Sequence, residues 1–463
     1  MQISSKFRCK IIKFKIYQIP VSEWIEHLKD VLIKMIQIDS RKVKEGDIFV
    51  AIKGFNFDGH NFIKQAEENG ASKIYCEKKI NDVNIPQVIV ENSRKAAGEL
   101  ASEFYGFPTK SFKLVGVTGT NGKTTTTYMV KSILESTGEK VGLIGTNQNM
   151  IGTKALHTER TTPDSVDLQE LFGDMRDAKC EYVVMEVSSH ALALDRVAGS
   201  YFEVGAFTNL TQDHLDFHKD FEDYFAAKCK LFEMADKKVI NVDNEWGRRI
   251  VAMNLPNTMQ VRASDINFQL PSNIVGQFNY ENAAVARGIC IQLGLTNEQI
   301  IKGFANFKGV NGRMELVYDA DFKVIIDYAH TPDGLSNILK TAREFCEGRL
   351  VVVFGCGGDR DKAKRPIMGR IASELADICI VTSDNPRTEK PEEIINEILM
   401  GMDECDNTII TNRREAIEYA LKNAKKDDVI ILAGKGHEDY QIIGTEKHHF
   451  DEHEIVGEIL KLS

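Results

Sequence analysis

Short apolar runs alternate with amphipathic stretches along most of the chain. After a Glu45-Gly46 turn, Asp47–Ile52 is an apolar run of strand length. A helical pattern follows near Phe62–Gly70, strands recur at Lys73–Cys76 and Gln87–Val90, and the spacing predicts a helix over Ser93–Tyr105. Phe107-Pro108 ends that helix and marks a boundary. A second segment opens with strand Lys113–Val117, a Gly-rich turn and helix Lys123–Glu135, then strands at Tyr182–Val187, Val204–Phe207 and Lys238–Val242 with helices between them.

A third segment begins near Tyr318. Strands Lys323–Asp327, Leu350–Gly355, Ile378–Thr382 and Val429–Ala433 alternate with helices near Leu335–Phe345, Ile367–Leu375, Pro391–Met402 and Arg414–Lys422. Strand–helix alternation predicts parallel sheets covered by helices. The expected fold is therefore α/β in three domains: a small α/β unit over 1–110, a central P-loop-type parallel sheet over 111–317, and a Rossmann-like unit over 318–463. Ligands of such sheets bind at the carboxyl ends of strands. In the third segment those ends carry Asp327, Gly355–Arg360, Asp384-Asn385-Pro386-Arg387 and Gly434–Glu438.

Composition narrows the class. The 463 residues suit about three domains. A net charge of −10 argues against a nucleic-acid binder. Nine cysteines, at an odd count and with no C-x-x-C pair, suggest neither a disulfide framework nor a zinc site. The basic, apolar start, residues 1–20, is too short and too charged for a membrane span and lacks a clean signal core. It reads as a frayed start or an early strand. The expected setting is the cytoplasm, with no membrane partner.

The most informative stretch is Thr118–Thr126, TGTNGKTTT, between an apolar strand and a helix. Glycines let backbone N–H groups face an anion, and the helix N-terminus adds partial positive charge. Lys123 would meet the β- and γ-phosphates of ATP, and Thr124 would offer a hydroxyl to Mg2+. The strict G-x-x-x-x-G-K-[ST] form would place its first glycine at Val117. Glu186 ends a strand where an acidic metal or water ligand belongs. His214 is a lone histidine, more often structural than a ligand, and Asp213 and Asp216 beside it read equally well as a helix N-terminal acidic cluster.

These residues, with Met185–His190, Asp213–Asp216, Tyr224–Lys228, Phe278–Asn282, Gly312–Glu315 and Asp327–Pro332 in that order, resemble the Mur ligases of peptidoglycan synthesis. The resemblance runs from about Ser40 to Glu438. Each motif alone is weak; their ordered set is specific. Asp39-Ser40-Arg41, Gly46–Ala51, Asp58-Gly59-His60 and Thr161-Thr162-Pro163 look like the nucleotide-sugar half of the family branch that adds the third peptide residue. Gly357–Asp361, Asp384–Arg387 and Gly434–Asp439 look like its amino-acid half.

The resemblance implies an ATP-dependent amide ligase, acting as a monomer on UDP-MurNAc-L-Ala-D-Glu and meso-diaminopimelate through an acyl phosphate. It implies that Gly119, Thr120, Asn121, Gly122, Lys123, Thr124 and Thr125 hold the ATP phosphates, with Asn282 and Arg313 reaching ATP and Asp327 its ribose. Thr124, Glu186 and His214 would help bind Mg2+. Lys228 would be carbamylated by carbon dioxide and lend anionic oxygens to the metal. Ser40, Thr161, Thr162, Ser188 and Arg196 would contact the UDP-sugar dipeptide. Arg360, Asp384, Asn385, Pro386, Arg387, Gly434 and Glu438 would take the incoming amino acid.

Blander readings stand beside these. Lys228 could be a solvated helix lysine, Arg313 a surface ion pair with Glu315, Asn279 and Asn282 helix caps, and Arg387 an exposed turn residue. Meso-diaminopimelate carries a distal carboxylate and amine, so an arginine fork and an acid should receive them. Arg387 and Arg360 suit the first, Glu438 the second. The alternatives are an L-lysine-adding member of the family and folylpolyglutamate synthase. A regulatory P-loop NTPase has no coiled coil or basic stripe to support it.

Overall fold

The computed structural model describes residues 35–54, 57–158, 160–271, 274–402 and 406–461. The apolar, basic start lies outside them. The described chain forms two compact units that part at Ala96/Ala97.

In the first unit, strands β1 (Ile36–Gln37), β2 (Ile48–Val50), β3 (Lys73–Cys76) and β4 (Gln87–Ile89) form a parallel sheet in sequence order. Phe49, Ala51, Ile63, Ala66, Ile74 and Cys76 make its small core. The expected helix at Phe62–Gly70 is a 3-10 turn, Gly59–Phe62, leading into helix Ile63–Glu68. Asp58-Gly59-His60 has a local role there. Asp58 Oδ1 accepts from the His60 backbone at 3.0 Å, and a Cβ on Gly59 would press on the Ile52 backbone. His60 Nε2 accepts from Glu77 N at 2.9 Å, so Nδ1 carries the proton shared with Asp58. Ser40 is buried and donates to Gln65 Oε1 at 2.7 Å.

The second unit holds two larger sheets. The first comprises β5 (Lys113–Thr118), β6 (Val141–Ile144), β7 (Asn149–Ile151), β8 (Lys154–Leu156), β9 (Tyr182–Glu186), β10 (Phe202–Phe207), β11 (Ala235–Asn241) and β12 (Thr258–Val261). Their order is β12-β11-β10-β5-β9-β6-β7-β8, parallel except for the β6-β7-β8 meander. Apolar cores cover both faces. Later strands flank β5 on either side, so its carboxyl end opens at a switch point of the winding. Gly116 and Gly205 pair across β5 and β10. A Cβ at either would strike Leu231, so these glycines let helix Phe221–Met234, which carries Lys228, lie close on the sheet.

The second sheet comprises β13 (Glu315–Asp319), β14 (Lys323–Asp327), β15 (Leu350–Phe354), β16 (Ile378–Val381), β17 (Asp406–Ile409) and β18 (Val429–Ala433). Its order is β13-β14-β18-β15-β16-β17, with only β13 antiparallel. A hairpin, β19 (Tyr440–Ile443) and β20 (Glu446–His449), follows. The division expected at 317/318 falls inside β13. The change of unit falls before 110/111 because the second half of helix Ser93–Phe104 is part of the larger unit: Ser102 donates to Gly199 O at 2.7 Å, and Gly98 abuts Ala198.

Arg413 and Glu452 form a fully buried ion pair at 2.8 Å that ties helix Arg413–Lys422 to the C-terminal helix Glu452–Leu460. Arg413 also donates to Ala433 O at 2.8 Å. Removing one partner strands the other charge without water. Arg413→Ala should therefore lower stability by about 3–5 kcal/mol, read as an earlier urea midpoint. An unchanged midpoint would show the pair to be energetically idle.

Candidate active site

The carboxyl ends of β5, β9 and β10 face the start of the second sheet across a cleft of about 1340 Å3. Thr120–Thr125, Glu186, His214, Asn282, Arg313 and Asp327 lie on its wall, with Thr161, Thr162, Ser188, Arg196 and Arg360. Those candidates, separated by up to 240 residues in sequence, are thus brought to one surface.

The loop leaves β5 at Thr118 and enters helix Lys123–Glu135 through Gly122, at φ 83°. No side chain caps this helix. The first N–H groups of any helix lack acceptors in their own helix, and here they open onto the cleft. A Cβ on Gly119 would overlap Thr208 Oγ1, and one on Gly122 would overlap Asn282 Oδ1. Both glycines are required by close approach. Val117 is a buried β5 residue paired with Ala206 and Glu186, so the loop here is shorter than the strict motif and begins two residues later. Segment 208–211 clamps it: Thr120 N donates to Asn209 O and Asn121 N to Asn209 Oδ1, both at 2.9 Å. Lys123 Nζ folds back to the carbonyls of Gly119 and Thr120, at 3.0 and 2.8 Å. Burial lowers its pKa.

Glu186 is buried at the end of β9. Its carboxylate accepts from Thr146 N at 2.9 Å and Thr146 Oγ1 at 3.0 Å. Thr161 Oγ1 lies 3.0 Å from Thr146 Oγ1. Thr162 Oγ1 donates to Glu186 O at 2.9 Å and accepts from Ser188 N at 3.1 Å. Arg196 lies beside Asp164, with Nε 2.9 Å from Oδ1, and donates to Thr162 O at 3.3 Å. Ser188 caps the short helix that follows.

Asp213 is buried beside the Lys364 ammonium, Nζ at 3.8 Å, and two imidazoles, His214 Nε2 at 3.4 Å and His330 Nε2 at 3.9 Å. Burial alone would raise its pKa, but those three neighbours outweigh it and hold the carboxyl well below the usual range. Asp213 is thus no helix cap. His214 sits at φ 56°, and burial lowers its pKa to about 3, so it is a neutral imidazole at pH 7. His190 packs edge-on against it at 4.8 Å between ring centres.

Lys228 is 1% exposed and lies over the Tyr224 ring at 4.3 Å. It has no ion-pair partner among the described residues. Burial first, then the nearby Lys123, drives its pKa well below that of a free lysine. The solvated-lysine reading fails.

Among the described residues, no three His, Cys, Asp or Glu side chains converge to hold a metal. Mg2+ needs few protein ligands, since it keeps several waters and takes oxygens from phosphates. The Glu186 carboxylate and the Thr124 hydroxyl supply oxygen of that kind, so the donor set fits it.

From the other wall, Arg313 Nη2 donates to Thr124 Oγ1 at 3.1 Å, and its guanidinium stacks on Tyr328 at 4.4 Å. Glu315 pairs instead with His453 at 3.0 Å, so the Arg313–Glu315 reading fails too. Asp327 closes β14, accepting from Met314 N at 2.6 Å and Ala329 N at 2.7 Å. Asn279 and Asn282 are buried within helix Gln277–Gln292 and do not cap it; Gly276 holds the cap position.

The remaining candidates form a second cluster that does not line this cleft. Asn385 Oδ1 accepts from Lys435 Nζ at 2.7 Å, and Asn385 Nδ2 donates to Glu438 Oε2 at 2.9 Å. Asp384 is buried beside Gly434; burial raises its pKa, but Lys435 and Arg413 bring it below the ordinary value. Pro386 O touches Gly358 so closely that a Cβ there has no room. Arg387, at φ 51°, is half-buried and donates to Gly358 O at 2.8 Å. Arg360, which does line the cleft, is exposed and bonds the neighbouring Asp359 O. Sequence reasoning missed Thr146, Lys364, His330, Lys435 and His437. Lys435 and His437 stood inside a quoted motif; Thr146 and Lys364 carried no signal, since only folding brings them to Glu186 and Asp213.

Three family models match the chain: the Mur ligase family catalytic domain at 32–105, the Mur ligase middle domain at 117–266, and the Mur ligase glutamate ligase domain at 312–436. A UDP-N-acetylmuramoyl-L-alanyl-D-glutamate–2,6-diaminopimelate ligase from Clostridium botulinum is 48% identical, over 93% of this chain and 95% of that protein. A solved structure of a ligase with the same name is 31% identical, with a TM-score of 0.66, over 93% of this chain and 95% of its own. A folylpolyglutamate synthase from Mycobacterium tuberculosis shares the fold at a TM-score of 0.61, but at 18% identity and over 73% of this chain.

The site also makes a pH prediction. Burial, then the nearby His218, lowers the His190 pKa to about 4. The unfolded chain binds that proton at about pH 6.5, so the group favours folding above that value and loses stability as pH falls toward 4. Imidazole NMR should show His190 neutral at pH 5.5. A midpoint near 6.5 would refute this.

Proposed function

The chain belongs to the Mur ligase family, and from that premise we propose that it joins meso-diaminopimelate to the D-glutamate carboxylate of UDP-MurNAc-L-Ala-D-Glu at the expense of ATP, as a cytoplasmic monomer. One observation carries the reading: an uncapped helix N-terminus, Lys123, Thr124 and Glu186 on one wall of the cleft meet Arg313 from the other. The name borne by relatives that match over most of their length points the same way. The three matched segments support a division into 1–110 for the UDP-sugar, 111–317 for ATP and 318–463 for the amino acid.

A carboxylate is a poor electrophile. One of its oxygens attacks the γ-phosphorus of ATP, ADP leaves, and an acyl phosphate forms. The amine then attacks the acyl carbon, loses a proton, and phosphate departs with that oxygen. The protein's work is alignment and neutralisation of phosphate charge. In the proposed arrangement Gly119–Thr125 cradle the phosphates, Lys123 turns from its loop carbonyls to a phosphate, and Asn282, Arg313 and Asp327 hold the rest of ATP. Thr124, Glu186 and His214 would hold Mg2+, which would supply neutralisation of phosphate charge there. Lys228 as a carbamate would place anionic oxygens beside Lys123; burial lowers the pKa of its amine, in the direction that favours the uncharged form with which carbon dioxide reacts.

Thr161, Thr162, Ser188 and Arg196 receive the UDP-sugar dipeptide. Arg360, Arg387 and the Asp384–Asn385–Gly434–Glu438 cluster receive diaminopimelate.

With UDP-MurNAc-L-Ala-D-Glu, ATP and Mg2+, mass detection should find the tripeptide product with meso-diaminopimelate and little with L-lysine. No product with either would overturn the function. Arg387→Ala should raise the KM for diaminopimelate tenfold or more, of order 1.5–3 kcal/mol for a lost charged hydrogen bond, and leave the KM for ATP within about twofold. Equal use of diaminopimelate by mutant and parent would sink that assignment. With 13C-bicarbonate, a carbamate carbon resonance should appear in the parent and vanish in Lys228→Met; its absence from the parent would rule carbamylation out.

A further inference from the structure

Two residues of the third segment adopt left-handed backbone without being glycine: Asp359 at φ 53° and Arg387 at φ 51°. That region is costly for a residue with a Cβ and persists where neighbours over-determine it. Here the neighbours are specific. Thr388 gives its N–H and its hydroxyl to the two Asp359 carboxylate oxygens, at 3.2 and 2.8 Å. Glu389 Oε1 accepts from Asp359 N at 2.6 Å. Arg387 Nη1 donates to Gly358 O at 2.8 Å, and a Cβ on Gly357 would meet the same nitrogen at 2.9 Å. On its other side, Arg387 N donates to Ile442 O at 3.1 Å, and Gly444 N donates to Arg387 O at 2.7 Å.

Glu389 is the hub of this arrangement. Its carboxylate accepts a bidentate pair from Arg365, Nη2 to Oε1 at 2.9 Å and Nη1 to Oε2 at 3.0 Å. Lys362 Nζ lies 3.0 Å from Oε2. Arg365 is fully buried at the start of helix Lys364–Leu375. It also donates to Gly357 O at 3.2 Å and to Glu397 Oε2, on helix Pro391–Leu399, at 2.8 Å. The Arg365 hydrogen bonds hold the Glu389 carboxyl down at about pKa 2, so it stays anionic. Neither Arg365 nor Glu389 lines the cleft.

We propose that Glu389, anchored by Arg365, is a positioning residue that locks the 357–361 loop against the strained Arg387, holds that guanidinium where it meets the distal carboxylate of diaminopimelate, and so sets the preference over L-lysine. This rests on the amino-acid role given above to Arg387. Glu389 touches no substrate atom in this account. L-Lysine lacks the distal carboxylate, so a displaced Arg387 should cost it nothing.

The experiment uses the full chain and starts from Glu389→Ala. Arg365 then keeps Glu397, so no buried charge is stranded. Misplacing a binding group by about 1 Å can cost up to about 100-fold. Glu389→Ala should therefore raise the KM for diaminopimelate about tenfold. The KM for ATP, and the rate with L-lysine at a fixed high concentration, should stay within about twofold. Glu389→Gln keeps an acceptor for Asp359 N and should recover most of the loss. Adding Glu389→Ala to Arg387→Ala should cost no more than about threefold further, because the first change acts through the second residue. Arg349→Ala is the stability control. It breaks the pair with Asp428 at the opposite end of the same sheet, and should lower the urea midpoint while leaving the diaminopimelate-to-lysine ratio unchanged. An unchanged KM for diaminopimelate in Glu389→Ala, equal losses with both amino acids, no recovery in Glu389→Gln, a full further loss in the double variant, or the same ratio change in Arg349→Ala would overturn the inference. A parent that makes no tripeptide would instead overturn the functional reading beneath it.

Discussion

The first N–H groups of helix Lys123–Glu135 have no acceptor in their own helix and no capping side chain, and the architecture around them keeps them open. Gly119 and Gly122 bring the loop against Thr208 and Asn282 with no space for a Cβ. Segment 208–211 pins the loop's own amides, so those left over point to the cleft. The parallel winding that places β5 between β9 and β10 makes that cleft. A helix end left this way is an anion site by construction.

Charge around it follows the same logic. Lys123, Lys228, Lys364 and Arg313 approach from two sheets, while Glu186 and Asp213 are the buried acids that face them. Buried cations in excess are costly until an anion arrives. The lowered pKa values of Lys123 and Lys228 express that cost. The contacts that close the cleft, Arg313 to Thr124, Lys364 to Asp213 and Asn121 to Asp333, all join the two sheets through polar groups. Such contacts can exchange partners as ligands enter, which an apolar seam cannot do as readily.

The cluster of Asp384, Asn385, Lys435 and Glu438 is built differently. Asn385, Lys435 and Glu438 satisfy one another, and Asp384 is held by burial beside Gly434. Such a network is stiff. It meets Tyr328 and Gly312 through the tight 434–438 turn, where glycines permit backbone contact that other residues would forbid.

Much of this was legible in the sequence. Strands Lys323–Asp327 and Val429–Ala433 and helix Lys123–Glu135 fall at their expected bounds, because fully buried parallel strands are continuous apolar runs and a glycine fixes the helix start. The β6-β7-β8 meander, the antiparallel β13 and the 435–438 contacts were not legible. Their short, half-exposed strands carry weak periodicity, and their pairing is set by distant partners. The chemistry of single motifs came from residue type and spacing. That Lys228 is buried with no ion-pair partner among the described residues, that Asp213 sits between Lys364 and two imidazoles, and that Thr146 holds Glu186 came only from tertiary structure, because burial and long-range approach decide a side chain's charge and partners, and neither is written locally in a sequence.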